Sequence, residues 1–211
     1  MQIPSNAIVV VPSMVAVIES WLPSFEAESL WTSIVNETSK TMRPQLKFNK
    51  GRRWIDAGHR MSRYGDEGVT YNYRDKQKPV HAMTPTLVDV RDRVASVIDW
   101  HANCCVINTY SPTSSLYPHS DGKYIPQLGE NPTIVAVSFG VTRTFVLHPY
   151  DGKKRSTDVI NVPLAHGDLL IMHGECDTKF HHSIPEEPLA SGDRLSLTFR
   201  LHVNVFCNSE H

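Results

Sequence analysis

Arg194-Leu195-Ser196-Leu197-Thr198-Phe199-Arg200 alternates strictly between polar and apolar residues. A period of two marks a strand with one face in a core and the other turned toward something polar. Leu195, Leu197 and Phe199 form the apolar face, while Arg194, Ser196, Thr198 and Arg200 share the opposite one. Two inward guanidiniums on one strand are costly unless they meet anions, because unpaired buried charge is strongly unfavourable. The alternative is a surface strand whose arginines are solvated or paired to structural acids.

Outward from this strand, the second half of the chain breaks into short β-rich runs at about 104–110, 134–139, 142–147, 158–163, 169–172 and 194–205, separated by Gly, Pro and Asp turns. The first half reads differently. Ser24 is placed to cap a helix reaching about Glu37, with Leu30, Trp31, Ile34 and Val35 on its buried side. Thr84-Pro85 opens a second helix, with Leu87, Val90, Val94, Val97 and Ile98 at helical spacing. Residues 40 to 80 read as irregular and basic. Helices first and strands afterwards predict an α+β protein whose second half is a jelly roll. A single domain spans 1–211 in this reading, with a helical and lid region over 1–100 and the jelly-roll core over 101–211.

The chemistry-bearing residues fall in the strand-rich half. His119-Ser120-Asp121 places an imidazole and a carboxylate two apart, so on an extended strand they point the same way. With a distant His182 they offer two imidazoles and one carboxylate, enough to hold one face of an octahedral metal and leave the other open. That donor set suits non-haem Fe(II) that activates O2. A dicarboxylate cosubstrate then answers the need of the two arginines, one carboxylate held bidentately and the other nearer the metal. 2-Oxoglutarate is such a molecule.

These stretches resemble the AlkB family of Fe(II)/2-oxoglutarate-dependent dioxygenases. The likeness is carried by Val106-Ile-Asn-Thr-Tyr110, His119-Ser-Asp121, Ile134-Val-Ala-Val-Ser-Phe-Gly140, Leu164-Ala-His-Gly-Asp168, His182-Ser-Ile-Pro185 and Arg194 to Arg200. Tyr64-Gly-Asp-Glu-Gly-Val-Thr-Tyr71 is similar to the family's lid region. The resemblance covers about residues 60 to 205 and lies nearest the members that repair alkylated DNA bases. It implies a double-stranded β-helix (jelly-roll) core with N-terminal helices and a nucleotide-recognition lid. It implies Fe(2+) on His119, Asp121 and His182, with O2 and 2-oxoglutarate, and DNA repair after alkylation damage as the activity. His182 rather than the adjacent His181 follows from the motif match. Asn108 and Tyr110 are implied to contact 2-oxoglutarate, Arg194 to hold its distal carboxylate and Arg200 to sit by its chelating end. Tyr64, Asp66, Tyr71 and Tyr73 are the implied substrate contacts, any of which structural packing could claim instead. One departure is Lys123, which stands near where repair members commonly carry an acid that complements a cationic methylated base. Another is His59-Arg60, where a Pro-Arg pair is usual.

Composition sets the remaining bounds. At 211 residues and net charge −1 the chain can bury a real core, and no bulk charge draws it to a polyanion. Locally, however, residues 40–63 carry eight basic residues against the single acid Asp56, interleaved with Phe48 and Trp54. That pattern suits phosphate tracking and base stacking, and Lys153-Lys154-Arg155 adds a second basic loop. Cys104, Cys105, Cys176 and Cys207 show no framework spacing, which predicts free thiols in a reducing compartment. No signal peptide or membrane span is read, and an intracellular monomer, nuclear or cytoplasmic, is expected. His166 and His173 are expected in turns or behind the ligands. The function these readings predict is oxidative demethylation of alkylated bases in DNA or RNA. The alternative is a 2-oxoglutarate-dependent hydroxylase of a protein, lipid or modified nucleobase on the same core.

Overall fold

The computed structural model describes residues 3–49, 53–74 and 76–203, with side chains throughout except at residues 46–49 and 53–58. Its larger sheet runs in the order Ile8–Val11, Val15–Ile18, Leu169–Met172, Ile134–Gly140, Arg194–Arg200, Cys104–Tyr110, Arg53–Gly65 and Arg43–Asn49, and His81–Ala82 pairs parallel to Arg53–Gly65. The smaller sheet runs Ile160–Leu164, Arg143–Pro149, Phe180–Ile184 and Leu116–His119, all antiparallel. The two sheets enclose one apolar layer, with Val15, Ile134, Ala136 and Leu170 meeting Phe145, Leu147, Val162 and Ile184. This is the expected jelly roll, with a functional face between the sheets.

Two helices cover the other face of the larger sheet. α1 (Ser24–Thr38) buries Ala27, Leu30, Ile34 and Thr38, and α2 (Pro85–Ile98) buries Leu87, Val90, Val94, Ala95 and Ile98. They pack in one cluster with Leu195, Leu197 and Phe199, the apolar face of the alternating strand. Thr84 caps α2 as expected, accepting from the Leu87 N–H, with Pro85 in the first turn. Ser24 does not cap α1. It lies inside the helix, Pro23 precedes it, and no side chain meets the free N–H groups there. Val35 and Val97 turn to solvent, because each sits about one position round the helix from the buried stripe.

Residues 40 to 80 are not irregular. Arg43–Asn49 and Arg53–Gly65 extend the large sheet, the second pairing along Cys104–Tyr110 from His59↔Tyr110 to Gly65↔Cys104. Their basic, weakly alternating sequence hides the strands because an edge is held by backbone ladders and tolerates charge. The ladder also shortens the expected last strand, which ends at Arg200 rather than 205. Residues 204 and 205, like Cys207, lie outside the described residues. Strands Phe180–Ile184 and Leu116–His119 were not foreseen either, since functional polar residues interrupt their alternation.

Gly140 closes the strand that pairs with Arg194–Arg200 and has φ +88. A Cβ there would stand 2.1 Å from Trp31 Cζ3 on α1 and 2.3 Å from the Asp193 carbonyl oxygen. Gly140→Ala is therefore expected to destabilise the fold by roughly 2–4 kcal/mol, combining left-handed strain with a backbone clash. A urea unfolding midpoint unchanged from wild type would contradict this packing.

Candidate active site

His119 ends the strand Leu116–His119 and pairs directly with His182 on the neighbouring strand. Their ring centroids are 4.3 Å apart, and Phe145 stacks on His182 at 5.4 Å. Asp121 follows the strand, its Oδ1 lying 3.5 Å from His119 Nε2. One ligand atom from each of His119, Asp121 and His182 lies within 4.8 Å of the others, the one such group among the described residues. His119 Nδ1–H donates to the Tyr117 carbonyl at 2.8 Å, which fixes the tautomer and leaves Nε2 as the donor atom.

The protonation states suit a cation. Burial, then the neighbouring His119, pushes His182 down to about 3, so its imidazole is neutral. Burial acts to raise Asp121, but Arg200 and the two histidines outweigh it and hold the carboxyl well below the usual range. Burial disfavours charge on His119 as well, yet the Asp121 contact more than offsets it and raises this imidazole. A divalent metal competes with that proton for the same pair of groups.

Arg200 meets Asp121 directly. Its Nε and Nη2 donate to Asp121 Oδ2 at 2.9 and 2.5 Å, both residues being almost wholly buried. Its charge is thus matched by the ligand carboxylate, whereas Arg194, the other arginine of the strand, has no acidic partner within hydrogen-bonding distance among the described residues. Arg194 is 2% exposed, donates from Nη2 to Ser138 Oγ at 2.8 Å, and has a buried Nε with no partner. Burial lowers it to about 10, so it stays cationic at neutral pH. Asn108 and Tyr110 stand beside Ser196 and Arg194 in the sheet register, and Asn108 Oδ1 is likewise buried without a partner. Unmet polar atoms on one wall are what a carboxylate-bearing ligand would satisfy.

These residues line a cavity of about 930 Å³ shared with Tyr71, Tyr73, Tyr124 and His59. Three of the expected substrate residues lie elsewhere. Tyr64 is 1% exposed in the helix-facing core, its hydroxyl hydrogen-bonded to Thr41 Oγ1. Asp66 binds Arg91 of α2 at 2.8 Å, which makes it a fixing point of the turn. Lys123 lines a separate depression with Tyr150 and His181, because the chain turns away after Asp121. His166 accepts from the Gly140 N–H at 2.9 Å, a backbone-satisfied imidazole as expected.

Two supporting residues carried no sequence signal. Asp177 accepts from the N–H groups of Asp121 and Gly122 at 2.8 and 2.7 Å, pinning the turn that presents the ligand carboxylate. Arg143 is fully buried and donates to the carbonyls of Ser111, Ser114 and Pro185, tying the loop before His119 to the segment after His182. Asp177→Asn keeps the shape but loses one acceptor. It is expected to weaken Co(II) or Fe(II) binding about 10- to 100-fold with an unchanged circular dichroism spectrum. Wild-type metal affinity in that variant would remove Asp177 from this role.

A profile of the 2OG-Fe(II) oxygenase superfamily matches residues 14–200. The DNA oxidative demethylase ALKBH2 of Mus musculus is 28% identical over 180 residues, 83% of this chain and 74% of that protein. Alpha-ketoglutarate-dependent dioxygenase alkB homolog 3 of Homo sapiens is 32% identical over 143 residues, 65% of this chain and 49% of that protein. The solved structure of OsALKBH1 shares the fold, with a TM-score of 0.61 at 18% identity over 91% of this chain and 98% of that one. The chain belongs to the AlkB branch of the 2OG-Fe(II) oxygenase superfamily, the dioxygenases that use Fe(2+), 2-oxoglutarate and O2.

Proposed function

We propose that this chain oxidatively demethylates alkylated bases in DNA or RNA, releasing formaldehyde, succinate and CO2. The observation that carries the reading is one cavity with the His119, Asp121 and His182 donors on one wall and Tyr71, Tyr73, Tyr124 and His59 around them. Aromatic faces suit a base that has left its stack.

In this reading His119 Nε2, Asp121 Oδ1 and His182 hold Fe(2+), which with 2-oxoglutarate and O2 supplies the oxidant. The chain does the rest. Arg194 takes the distal carboxylate of 2-oxoglutarate, with Asn108 and Tyr110 beside it. Arg200 orients Asp121 through Oδ2, so that Oδ1 faces the histidines. The tyrosines position the base and exclude water. One oxygen atom enters the N-methyl group, whose hydroxymethyl product collapses to formaldehyde and the free ring nitrogen, and the other enters succinate as CO2 leaves.

The basic segment 40–63 serves as the nucleic-acid surface in this account. Arg43 and Arg63 line the cavity, and Lys40 and Arg60 are exposed. The side chains of Lys47, Phe48, Lys50, Arg52, Arg53 and Trp54 lie outside the described residues. Buried Cys104, Cys105 and Cys176 are free thiols, which fits an intracellular site, nuclear or cytoplasmic. Among the described residues, no helix is long and apolar enough to cross a membrane.

Mass spectrometry of methylated oligonucleotides incubated with enzyme, Fe(2+), 2-oxoglutarate and ascorbate tests the proposal. Loss of the methyl group is expected with wild type and not with Asp121→Ala. Intact methyl groups on every DNA and RNA strand, alongside succinate formation, would assign the chemistry to another substrate.

A further inference from the structure

The charge of the cavity narrows the substrate, on the reading that the substrate is an alkylated base. Among the described residues lining it, Arg43, Arg63, Arg74, Lys78, Arg194 and Arg200 are cationic and Asp121 alone is acidic. A divalent metal and a dicarboxylate cosubstrate leave that imbalance unchanged, since their charges cancel. Asp121 is already committed to Arg200. Asp66, the acid between Tyr64 and Tyr71 expected to contact substrate, is committed to Arg91.

Two of these cations stand against the aromatic rings that would receive the base. The Arg63 guanidinium lies 4.9 Å from the Tyr71 ring centroid, and its Nε is buried without a partner. The Arg74 guanidinium lies 4.6 Å from the Tyr124 ring and 5.6 Å from the Tyr73 ring. Arg74 has φ +50, and its N–H donates to the Tyr124 carbonyl at 3.1 Å. The positive φ belongs to the hairpin turn after Tyr73, and the backbone bond to Tyr124 holds that turn beside the ring its guanidinium covers. Neither arginine has an ion pair among the described residues.

Guanidinium groups only donate hydrogen bonds. A cationic base such as N1-methyladenine or N3-methylcytosine would bring a like charge to them, which is unfavourable. A neutral base brings carbonyl acceptors without an opposing charge, two beside the alkylated nitrogen in N3-alkylthymine and one in N1-alkylguanine. We propose that this enzyme's preferred substrates are neutral, carbonyl-flanked N-alkyl bases, N3-alkylthymine or N3-alkyluracil foremost and N1-alkylguanine next, selected by Arg63 and Arg74.

The test compares kcat/KM for four oligonucleotides of one sequence, carrying N3-methylthymine, N1-methylguanine, N1-methyladenine or N3-methylcytosine at neutral pH. The neutral pair is expected to lead the cationic pair by about 10-fold or more. Arg74→Glu, at an exposed position, is expected to narrow that ratio by raising turnover of the cationic bases, and Arg63→Gln to narrow it by slowing the neutral ones. Equal turnover or a lead for the cationic bases would overturn the selectivity and leave demethylation standing. A lead that neither variant narrows would remove the two arginines and overturn the inference. No demethylation of any strand would overturn both the inference and the reading beneath it.

Discussion

Asp121→Ala is expected to abolish turnover and to destabilise the protein in the same step. The carboxylate has two oxygens with separate tasks. Oδ1 faces His119, and Oδ2 accepts both Arg200 donors. Removing it takes one of three donors from the metal site and strands a buried guanidinium. Breaking a buried pair from one side costs about 3–5 kcal/mol, because the surviving charge has no solvent to return to. Added metal should no longer raise the melting temperature, since binding to the native state is what would supply that stabilisation. Asp121→Asn separates the two effects: the shape is kept, the charge is lost, and metal binding should fall with a smaller loss of stability. Thermal melts of both variants, with and without Co(II), make the comparison. An Asp121→Ala protein as stable as wild type would contradict the Asp121–Arg200 pairing.

Arg194→Met is expected to behave in the opposite way. Arg194 is buried with one neutral partner, Ser138 Oγ, and an unmet Nε. The Tyr110 ring, 5.6 Å from the guanidinium, offsets only part of the cost of its charge, which a bound anion would relieve further. A methionine of similar volume should leave the apo protein as stable as wild type or raise it by about 1 kcal/mol. The KM for 2-oxoglutarate should rise by roughly 30- to 1,000-fold, corresponding to about 2–4 kcal/mol for the loss of one partner of a buried charge pair. A lowered apo melting temperature with an unchanged KM would make Arg194 a structural residue and leave the cosubstrate without its anchor.

The opposite signs of these two effects show what the sequence could and could not convey. Strict alternation in 194–200 correctly separated an apolar face for the helices from a polar face for the cavity, and both arginines do point inward. Alternation cannot say which anion each arginine meets. Arg200 is expected by the chelating end of the cosubstrate, and its guanidinium meets the carboxylate of the neighbouring metal-ligand candidate, 79 positions earlier in the chain. The metal donors were legible because their chemistry tolerates few residue types. Asp177 and Arg143 were not, since each acts through backbone groups of a distant loop, and such contacts leave no local pattern.

The lid side was read least well for the same reason. Basic strands near a sheet edge take their stability from backbone pairing, so 43–49 at the edge and 53–65 beside it looked irregular while forming strands. Tyr64 and Tyr71 bound the same Gly-containing stretch, yet one packs under α2 and the other lines the cavity. Tyr64 is set by its pairing with Cys105 in the large sheet, whereas Tyr71 lies on a separate hairpin paired with Lys78. Lys123 drew attention by its place in the chain, whereas Arg63 and Arg74 are the cavity cations that stand against the tyrosine rings.

The most direct measurement is the coupling of products in one reaction. With a methylated oligonucleotide as substrate, formaldehyde and succinate are quantified together against time, using ¹³C-labelled methyl groups to identify the source of the formaldehyde. One labelled formaldehyde for each succinate above the substrate-free background is the result expected of a demethylase. Succinate formation indifferent to the oligonucleotide, with no labelled formaldehyde, would contradict it.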